Sequence, residues 1–306
     1  STTRRVVLAT NVAETSITVP NIGYVVDPGF ARINRYSYRS KLERLPIEPI
    51  SQASANQRAG RCGRIAPGVC YRLYGEDDFL GRPEFTDPEI KRVNLASVVL
   101  QMRAWRLGDI ERFPFLEPPD PGAVRDAMRL LHELEAIREG QVTDTGRAMA
   151  RLPVDPRLAR MLIAANRERA LAEVLVIVAA LAIQDPRERP LAAQEKADAA
   201  HETFADSRSD FLSFVNLWRW LENLRESATS SGMRKALAQR FLNYQRVREW
   251  REVHRQLLLA CRHLGMRPNR EEANPASVHR ALLTGCLSLI GRYDEKGNYQ
   301  GARNLS

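Results

Sequence analysis

A proline-framed linker, Arg82-Pro83-Glu84-Phe85-Thr86-Asp87-Pro88, divides this chain into two textures that no single fold accommodates. Proline donates no amide and biases the residue before it away from the helix, so no regular element runs through such a stretch. Before it lie short apolar runs. Val6–Ala9 and Tyr24–Asp27 read as buried strands, and Gly68–Leu73 as a third. A helix of small residues is expected between Gln52 and Gly63. Strand, loop, strand and helix in this order suit an α/β layer.

From Glu89 the pattern is mostly helical. Asn94–Trp105 is amphipathic, with Leu95, Val98, Val99 and Met102 inward. Pro121–Glu139 reads as a second helix, with Val124, Met128, Leu131 and Leu134 inward, and Val142–Gly146 as a short strand and turn. Together these suggest a compact winged helix, a module that binds nucleic acid in some proteins and only packs in others. Asp155-Pro156 supplies an N-cap and a first-position proline for the next helix. Helices then continue to about Gly265, interrupted by a stiff connector, Asp185–Pro190. In the longest, from about Leu242 to Leu264, Val247, Trp250, Leu257, Cys261 and Leu264 line one side. Arg246, Arg248, Arg251, Arg255 and Arg262 cover the rest, as a solvated face or a phosphate-facing one. From Arg280 a strand pattern returns through Leu287–Tyr293, a turn at Asp294–Asn298, and Tyr299: the first hairpin of a small β-domain.

Composition sets limits on partners. Lys plus Arg number 46 against 37 Asp plus Glu, a net charge of +9 that suits a polyanion without requiring one. The four cysteines (Cys62, Cys70, Cys261, Cys286) and five histidines have no metal-ligand spacing, and four scattered thiols make no disulfide framework. Reduced cysteines in a cytoplasmic protein are the expectation. The most apolar run, Val174–Ile183, is far shorter than the ~20 residues of a membrane span and reads as one buried helix.

Two stretches carry chemistry. In Phe30–Pro46, Arg32, Arg35, Tyr36, Tyr38, Arg39, Lys41 and Arg44 interleave cations with aromatics, giving a hairpin exposed on one face. It is either a solvated edge guarded by charge or a nucleic-acid contact. The second stretch is Gln57-Arg58-Ala59-Gly60-Arg61-Cys62-Gly63-Arg64. Arginines at every third position line one flank of a helix and can converge on one anion. Gly60 and Gly63 allow a close approach, and a guanidinium fork fits phosphate oxygens. A merely solvated arginine face would leave Gln57 and both glycines unexplained.

This stretch resembles motif VI of the DEAH/RHA-box RNA helicases of superfamily 2, and Ala9-Thr10-Asn11-Val12-Ala13-Glu14-Thr15-Ser16-Ile17-Thr18 resembles their motif V. Tyr24–Gly29, Pro49–Ser54, Leu73-Tyr74, Pro83-Glu84, Ile137 and Asp185–Pro190 extend the likeness along essentially the whole chain, closest in its last part to the bacterial HrpA branch. The resemblance implies a multidomain fold, α/β and then mostly α. Residues 1–85 would be most of a second RecA-like domain, 86–152 a winged helix, 153–279 a helical ratchet bundle, and 280–306 the start of an OB-fold. It implies catalytic roles for Gln57, Arg61 and Arg64 at the ATP phosphates and the attacking water. Ser16, Gly60 and Gly63 would lie at the nucleotide, with Ser16 coupling ATP to RNA. Arg58 would tie the helix to its neighbours. Thr10 and Asn11 would touch the RNA backbone. The Phe30–Pro46 hairpin, with Arg32, Arg35, Tyr36, Tyr38, Arg39 and Lys41, would be a strand-separating element. Cys62 stands where many relatives carry alanine, and Pro20 where some carry an acidic residue near the nucleotide.

The implied activity is ATP-driven, 3′-to-5′ movement on single-stranded RNA with duplex unwinding, by a cytoplasmic monomer with no membrane partner. The implied cofactor is ATP with Mg²⁺, held mainly by a first RecA-like domain. No Gly-x-x-x-x-Gly-Lys-Ser/Thr loop and no Asp-Glu-Ala-His occur in the sequence, so the chain by itself is expected to be inactive. Neither end reads as a domain boundary, no secretory leader is expected, and a piece of something longer is the expectation. A non-enzymatic RNA-binding or adaptor fragment and a helicase acting on DNA are the alternatives. The triad of Gln57, Arg61 and Arg64 argues against the first, while 2′-hydroxyl contacts, which decide the second, are not written in sequence.

Overall fold

The computed structural model describes residues 5–17, 19–33, 35–37, 42–44, 47–63, 67–227, 229–293 and 299–301. The chain divides into two compact units, Ser1–Leu95 with Glu111–Asp126, and Ala96–Ile110 with Ala127–Ser306.

Ahead of the linker come α1 (Val12–Thr15), β1 (Tyr24–Asp27), β2 (Phe30–Arg32), β3 (Arg35–Ser37), β4 (Leu42–Arg44), β5 (Ile47–Pro49), α2 (Gln52–Ala59), β6 (Val69–Arg72) and α3 (Glu76–Leu80). β1 and β6 pair in parallel, with Tyr24 opposite Val69 and Val26 opposite Tyr71. α2 lies on one face of this pair, where Arg58 reaches Asp27 and Arg72 reaches Asn56. The other face is bare: Tyr24, Val26, Val69 and Tyr71 are 70, 62, 46 and 54 % exposed. β1 is therefore a strand as expected but not a buried one. Val6–Ala9 is not a strand at all, and Leu8 is 95 % exposed. An apolar run becomes a strand only where a neighbour satisfies its backbone, and β1 pairs with β6 alone among the described residues.

α2 begins at Ser51, whose hydroxyl accepts from the Ser54 amide at 3.2 Å. Two more first-turn amides, those of Gln52 and Ala53, donate to the Pro83 and Glu84 carbonyls of the linker. The linker thus completes the helix end. Buried Arg82 fixes it further. Its guanidinium stacks over the Tyr74 ring at 4.0 Å and donates to the Gly29 carbonyl at 2.9 Å.

Beyond the linker come α4 (Leu95–Ala104), α5 (Pro121–Glu133), β7 (Ile137–Arg138), β8 (Gln141–Val142), α6 (Asp144–Met149), α7 (Pro156–Arg167), α8 (Leu171–Leu181), α9 (Gln194–Glu202), α10 (Asp210–Ser227), α11 (Ser230–Gln239), α12 (Tyr244–His263), α13 (Pro275–Leu283), β9 (Gly291–Tyr293) and β10 (Tyr299–Gly301). Three boundaries differ from expectation. α5 stops six residues early because Glu135 turns left-handed (φ 56°) and the Ala136 amide closes on the Leu131 carbonyl at 2.8 Å. Of Val142–Gly146 only Val142 is strand, the end of β8: Thr143 caps α6, accepting from the Gly146 amide at 2.9 Å. Arg280 lies in α13, and the strand is confined to Gly291–Tyr293, with the expected turn at 294–298 outside the described residues.

The core of the second unit is α8, buried from Val174 to Ala180 and packed by α7, α10, α12 and α13. Among the described residues no helix is long and apolar enough to cross a membrane. Trp250 of α12 is fully buried, and its indole donates to the Val176 carbonyl at 2.9 Å. Trp218 sits between Trp250, which it meets edge-on, and His254. Burial, with Arg251 nearby, holds the His254 ring down to about 4. The unfolded chain therefore binds the extra proton between pH 6.5 and 4, and this contribution to stability is complete above the ordinary histidine range and is lost as pH falls. About 2 kcal/mol should disappear between pH 7 and pH 5. Thermal unfolding of wild type and His254→Gln at the two pH values checks this. An equal loss in both proteins would show that another group is responsible.

Candidate nucleotide and nucleic-acid site

Of the expected site residues of the first unit, Thr10, Asn11, Ser16, Gln57, Gly60, Arg61 and Gly63 gather around α1 and the end of α2. The link is a charged network centred on Asp27, whose side chain is wholly buried. Asp27 Oδ1 accepts from Arg58 Nη1 at 2.7 Å and from the Gly29 amide at 2.9 Å, and Oδ2 accepts from the Tyr74 hydroxyl at 2.8 Å. Burial alone would raise this carboxyl, but the Gly29 amide, the Tyr74 hydroxyl and Arg58 outweigh it and hold it below its usual range. Burial and the same carboxylate push the Tyr74 phenol up to about 12. Arg58 Nε donates to Glu14 of α1 at 2.8 Å, and Nη2 to the Phe30 carbonyl at 3.1 Å. One guanidinium thus ties α1, β1 and β2 to α2, spending its fork on protein acceptors.

Arg58 and Arg61 therefore do not line one flank. α2 ends at Ala59, Gly60 caps it, and the chain turns through Arg61 and Cys62. Arg58 points to Asp27, whereas Arg61 Nη1 donates to the Ile17 carbonyl at 3.3 Å, its one side-chain bond among the described residues, at a half-exposed position. The expectation of a shared helix face fails for Arg58 and Arg61, because α2 ends between them. Arg64 lies outside the described residues. Gln57, in the last turn of α2, is exposed with no side-chain hydrogen bond among the described residues. Gly60 and Gly63 are exposed. The Cys62 carbonyl meets Gly68 so closely that a Cβ there would lie 2.2 Å from the oxygen, which fixes the return of the chain into β6.

On the neighbouring segment Thr10, Asn11 and Ser16 are all exposed. The Thr10 hydroxyl accepts weakly from the Val12 amide at 3.4 Å, Asn11 makes no capping bond, and Ser16 Oγ lies 3.3 Å from Thr15 Oγ1. Arg58–Glu14 and Arg61–Ile17 bring this segment against the end of α2. The result is one edge bearing hydroxyl, amide and guanidinium donors, a set that fits phosphate oxygens. Among the described residues no group of three or more His, Cys, Asp or Glu could hold a metal.

Of the hairpin residues, Arg32 is exposed on β2, opposite Ile47 of β5. Arg35 and Tyr36 lie on β3, paired antiparallel with Arg44 and Glu43 of β4. Tyr38, Arg39 and Lys41 lie outside the described residues. What sequence reasoning missed is the hub: Asp27, Glu14, Tyr74 and Arg82. The available signal was an acid ending an apolar strand directly before Pro28-Gly29, where a charge must find partners.

Three family models match in chain order: the helicase conserved C-terminal domain over 1–66, the winged-helix part of the helicase-associated domain HA2 over 127–154, and its ratchet-like part over 155–214. These matches define the carboxy-terminal machinery of a helicase. The chain is 56 % identical over 98 % of its length to the ATP-dependent RNA helicase HrpA of Escherichia coli, and 54 % identical over 98 % to the HrpA homolog of Haemophilus influenzae. It is 37 % identical over 97 % to the pre-mRNA-splicing factor ATP-dependent RNA helicase DEAH10 of Arabidopsis thaliana. The chain belongs to the DEAH/RHA family of RNA helicases, of which it carries a C-terminal part. It spans 24 % of the length of each bacterial relative and 43 % of the plant one.

Proposed function

We propose that this chain supplies the second half of an ATP-driven RNA motor that moves 3′ to 5′ on single-stranded RNA and parts duplexes. The observation that carries the reading is the pairing of two solvent-accessible donor sets, exposed Gln57 with half-exposed Arg61 and Thr10 with Asn11 and Ser16, joined by Arg58–Glu14. Gln57, Arg61 and Arg64 would meet the ATP phosphates and the attacking water, with Gly60 and Gly63 leaving room for them. Thr10 and Asn11 would follow the RNA backbone, and Ser16 would report one ligand to the other. Arginine can stabilise charge that develops at the γ-phosphate, a role worth ~10³–10⁵ in rate. Mg²⁺ and the remaining phosphate contacts would come from a first RecA-like domain.

In this reading 1–85 is most of the second RecA-like domain, 86–152 a winged helix, 153–279 a ratchet bundle and 280–306 the start of an OB-fold. The hairpin with Arg32, Arg35, Tyr36, Tyr38, Arg39 and Lys41 lies where strands separate. The protein works as a cytoplasmic monomer.

Strand displacement by the full-length protein tests the motor. With ATP it should displace a strand from an RNA duplex with a 3′ overhang and leave its 5′-overhang counterpart intact. The isolated chain, without a phosphate loop, should show no RNA-stimulated ATP turnover. Displacement only from the 5′ overhang, or turnover by the isolated chain with contaminants excluded, would sink the reading. A stronger response to DNA than to RNA would overturn the substrate.

A further inference from the structure

A cavity of about 550 Å³ opens in the second unit between the end of α7 and the loop joining α12 to α13. Arg169, Arg267 and Arg270 line it, and none of their side chains has a partner among the described residues. Two of the acids on its wall are already engaged: Glu168 with Arg280 at 2.8 Å, and Glu272 with Arg219 at 2.6 Å. Glu271 is the third. Three unpaired cations against one unpaired carboxylate leave a surplus of two positive charges.

The loop that carries two of these arginines is anchored. Asn269 Oδ1 accepts from the Ala172 amide at the start of α8 at 2.8 Å, and its Nδ2 donates to Glu173 at 2.9 Å. The buried Glu173 carboxylate also accepts from the Ala273 amide at 3.0 Å. The Arg267 amide reaches Asn166 at 3.4 Å. Arg169 is set by the closure of α7: it adopts φ 56°, and the Ala170 amide bonds back to the Ala165 carbonyl at 2.9 Å. The backbones that present all three guanidinium groups are thus fixed before any ligand arrives. Their planar forks fit the oxygens of a phosphate group two at a time.

We propose that this cavity binds phosphate groups, carried either by the backbone of a single-stranded nucleic acid or by a free oligophosphate. It uses none of the residues of the first unit and does not rest on the motor reading.

The test uses the full-length protein, with Arg169→Gln, Arg267→Gln and Arg270→Gln combined, and two probes: a labelled oligouridylate and tripolyphosphate. In the wild type at least one probe should slow hydrogen exchange at the amides of 267–274, and in the triple variant that protection should vanish. Protection by both probes assigns a phosphate site open to free anions; protection by the oligonucleotide alone assigns it to a nucleic-acid backbone. In the second case affinity should fall about tenfold, and the slope of log K against log salt by about 2, three contacts at ~0.7 each. Circular dichroism checks that the variant folds. The triple lysine variant, which keeps charge without the fork, should retain most of the salt slope. A charge-matched control carries Lys196→Gln, Arg208→Gln and Lys235→Gln at exposed positions. No protection by either probe, or an equal loss in the control, overturns the proposal.

Discussion

Arg61→Ala in the full-length protein is expected to slow ATP turnover at least ~10²-fold while leaving nucleotide-free RNA binding nearly unchanged. The structure explains why Arg61, rather than Arg58, is the arginine to test. Arg58 gives three of its donors to Glu14, Asp27 and Phe30, whereas among the described residues Arg61 makes one 3.3 Å bond, to the Ile17 carbonyl. That bond is weak enough to exchange for a phosphate oxygen, and its loss should cost the fold little. Steady-state turnover, with RNA affinity measured in parallel, gives the answer. Arg61→Lys should recover only a small part of the rate, since an ammonium lacks the fork. Near-normal turnover by Arg61→Ala would remove the finger assignment, and a matching loss of RNA affinity would point to a structural role.

Arg58→Ala should act on stability instead, lowering that of the first unit by ~3–5 kcal/mol, because it strands a buried carboxylate. Asp27 would keep only the Gly29 amide and the Tyr74 hydroxyl. Glu14 would lose its tie to α2, and the segment bearing Thr10, Asn11 and Ser16 would loosen with it. All four tryptophans (Trp105, Trp218, Trp220, Trp250) lie in the second unit, so fluorescence is blind to this event. Hydrogen exchange at the α2 amides reads it directly. The pH dependence has a definite sign. Asp27 is held below its ordinary value of 3.8, so its contribution is complete above that value and is lost as pH falls through the lower, folded one. The gap between wild type and variant should narrow under acid. A constant gap would mean that Arg58 matters for packing and not for charge.

How much of this was legible in sequence depended on where the cause of each element lay. The α8 run was readable because burial on every side needs only apolar residues, and Asp155-Pro156 marked the start of α7 because capping is local: the Asp155 side chain accepts from the Arg157 amide at 2.8 Å. The end of α5 was not readable, since Glu135 turns left-handed without the glycine that usually announces it. Val6–Ala9 failed for the opposite reason: its composition suits a strand, but a strand needs a partner. At the site, the run from Gln57 to Arg64 was conspicuous, yet its spacing of three implied a continuous helix that Gly60 cuts short. Asp27 was hidden because its importance comes from Arg58 and Tyr74, 31 and 47 residues away.

Parallel strands are rarely tolerated with a face open to water, and here Tyr24, Val26, Val69 and Tyr71 form such a face. For anyone handling this stretch of polypeptide alone, that face turns a question of enzymology into one of solubility. Chaperone-type receptors and other copies of the same chain recognise exposed apolar strands with open edges. Produced by itself, the first unit should bind hydrophobic dyes and precipitate at concentrations the helical unit tolerates. Truncation experiments on relatives of this protein should therefore avoid a cut ahead of β1, which leaves a half-sheet with nothing to lie against.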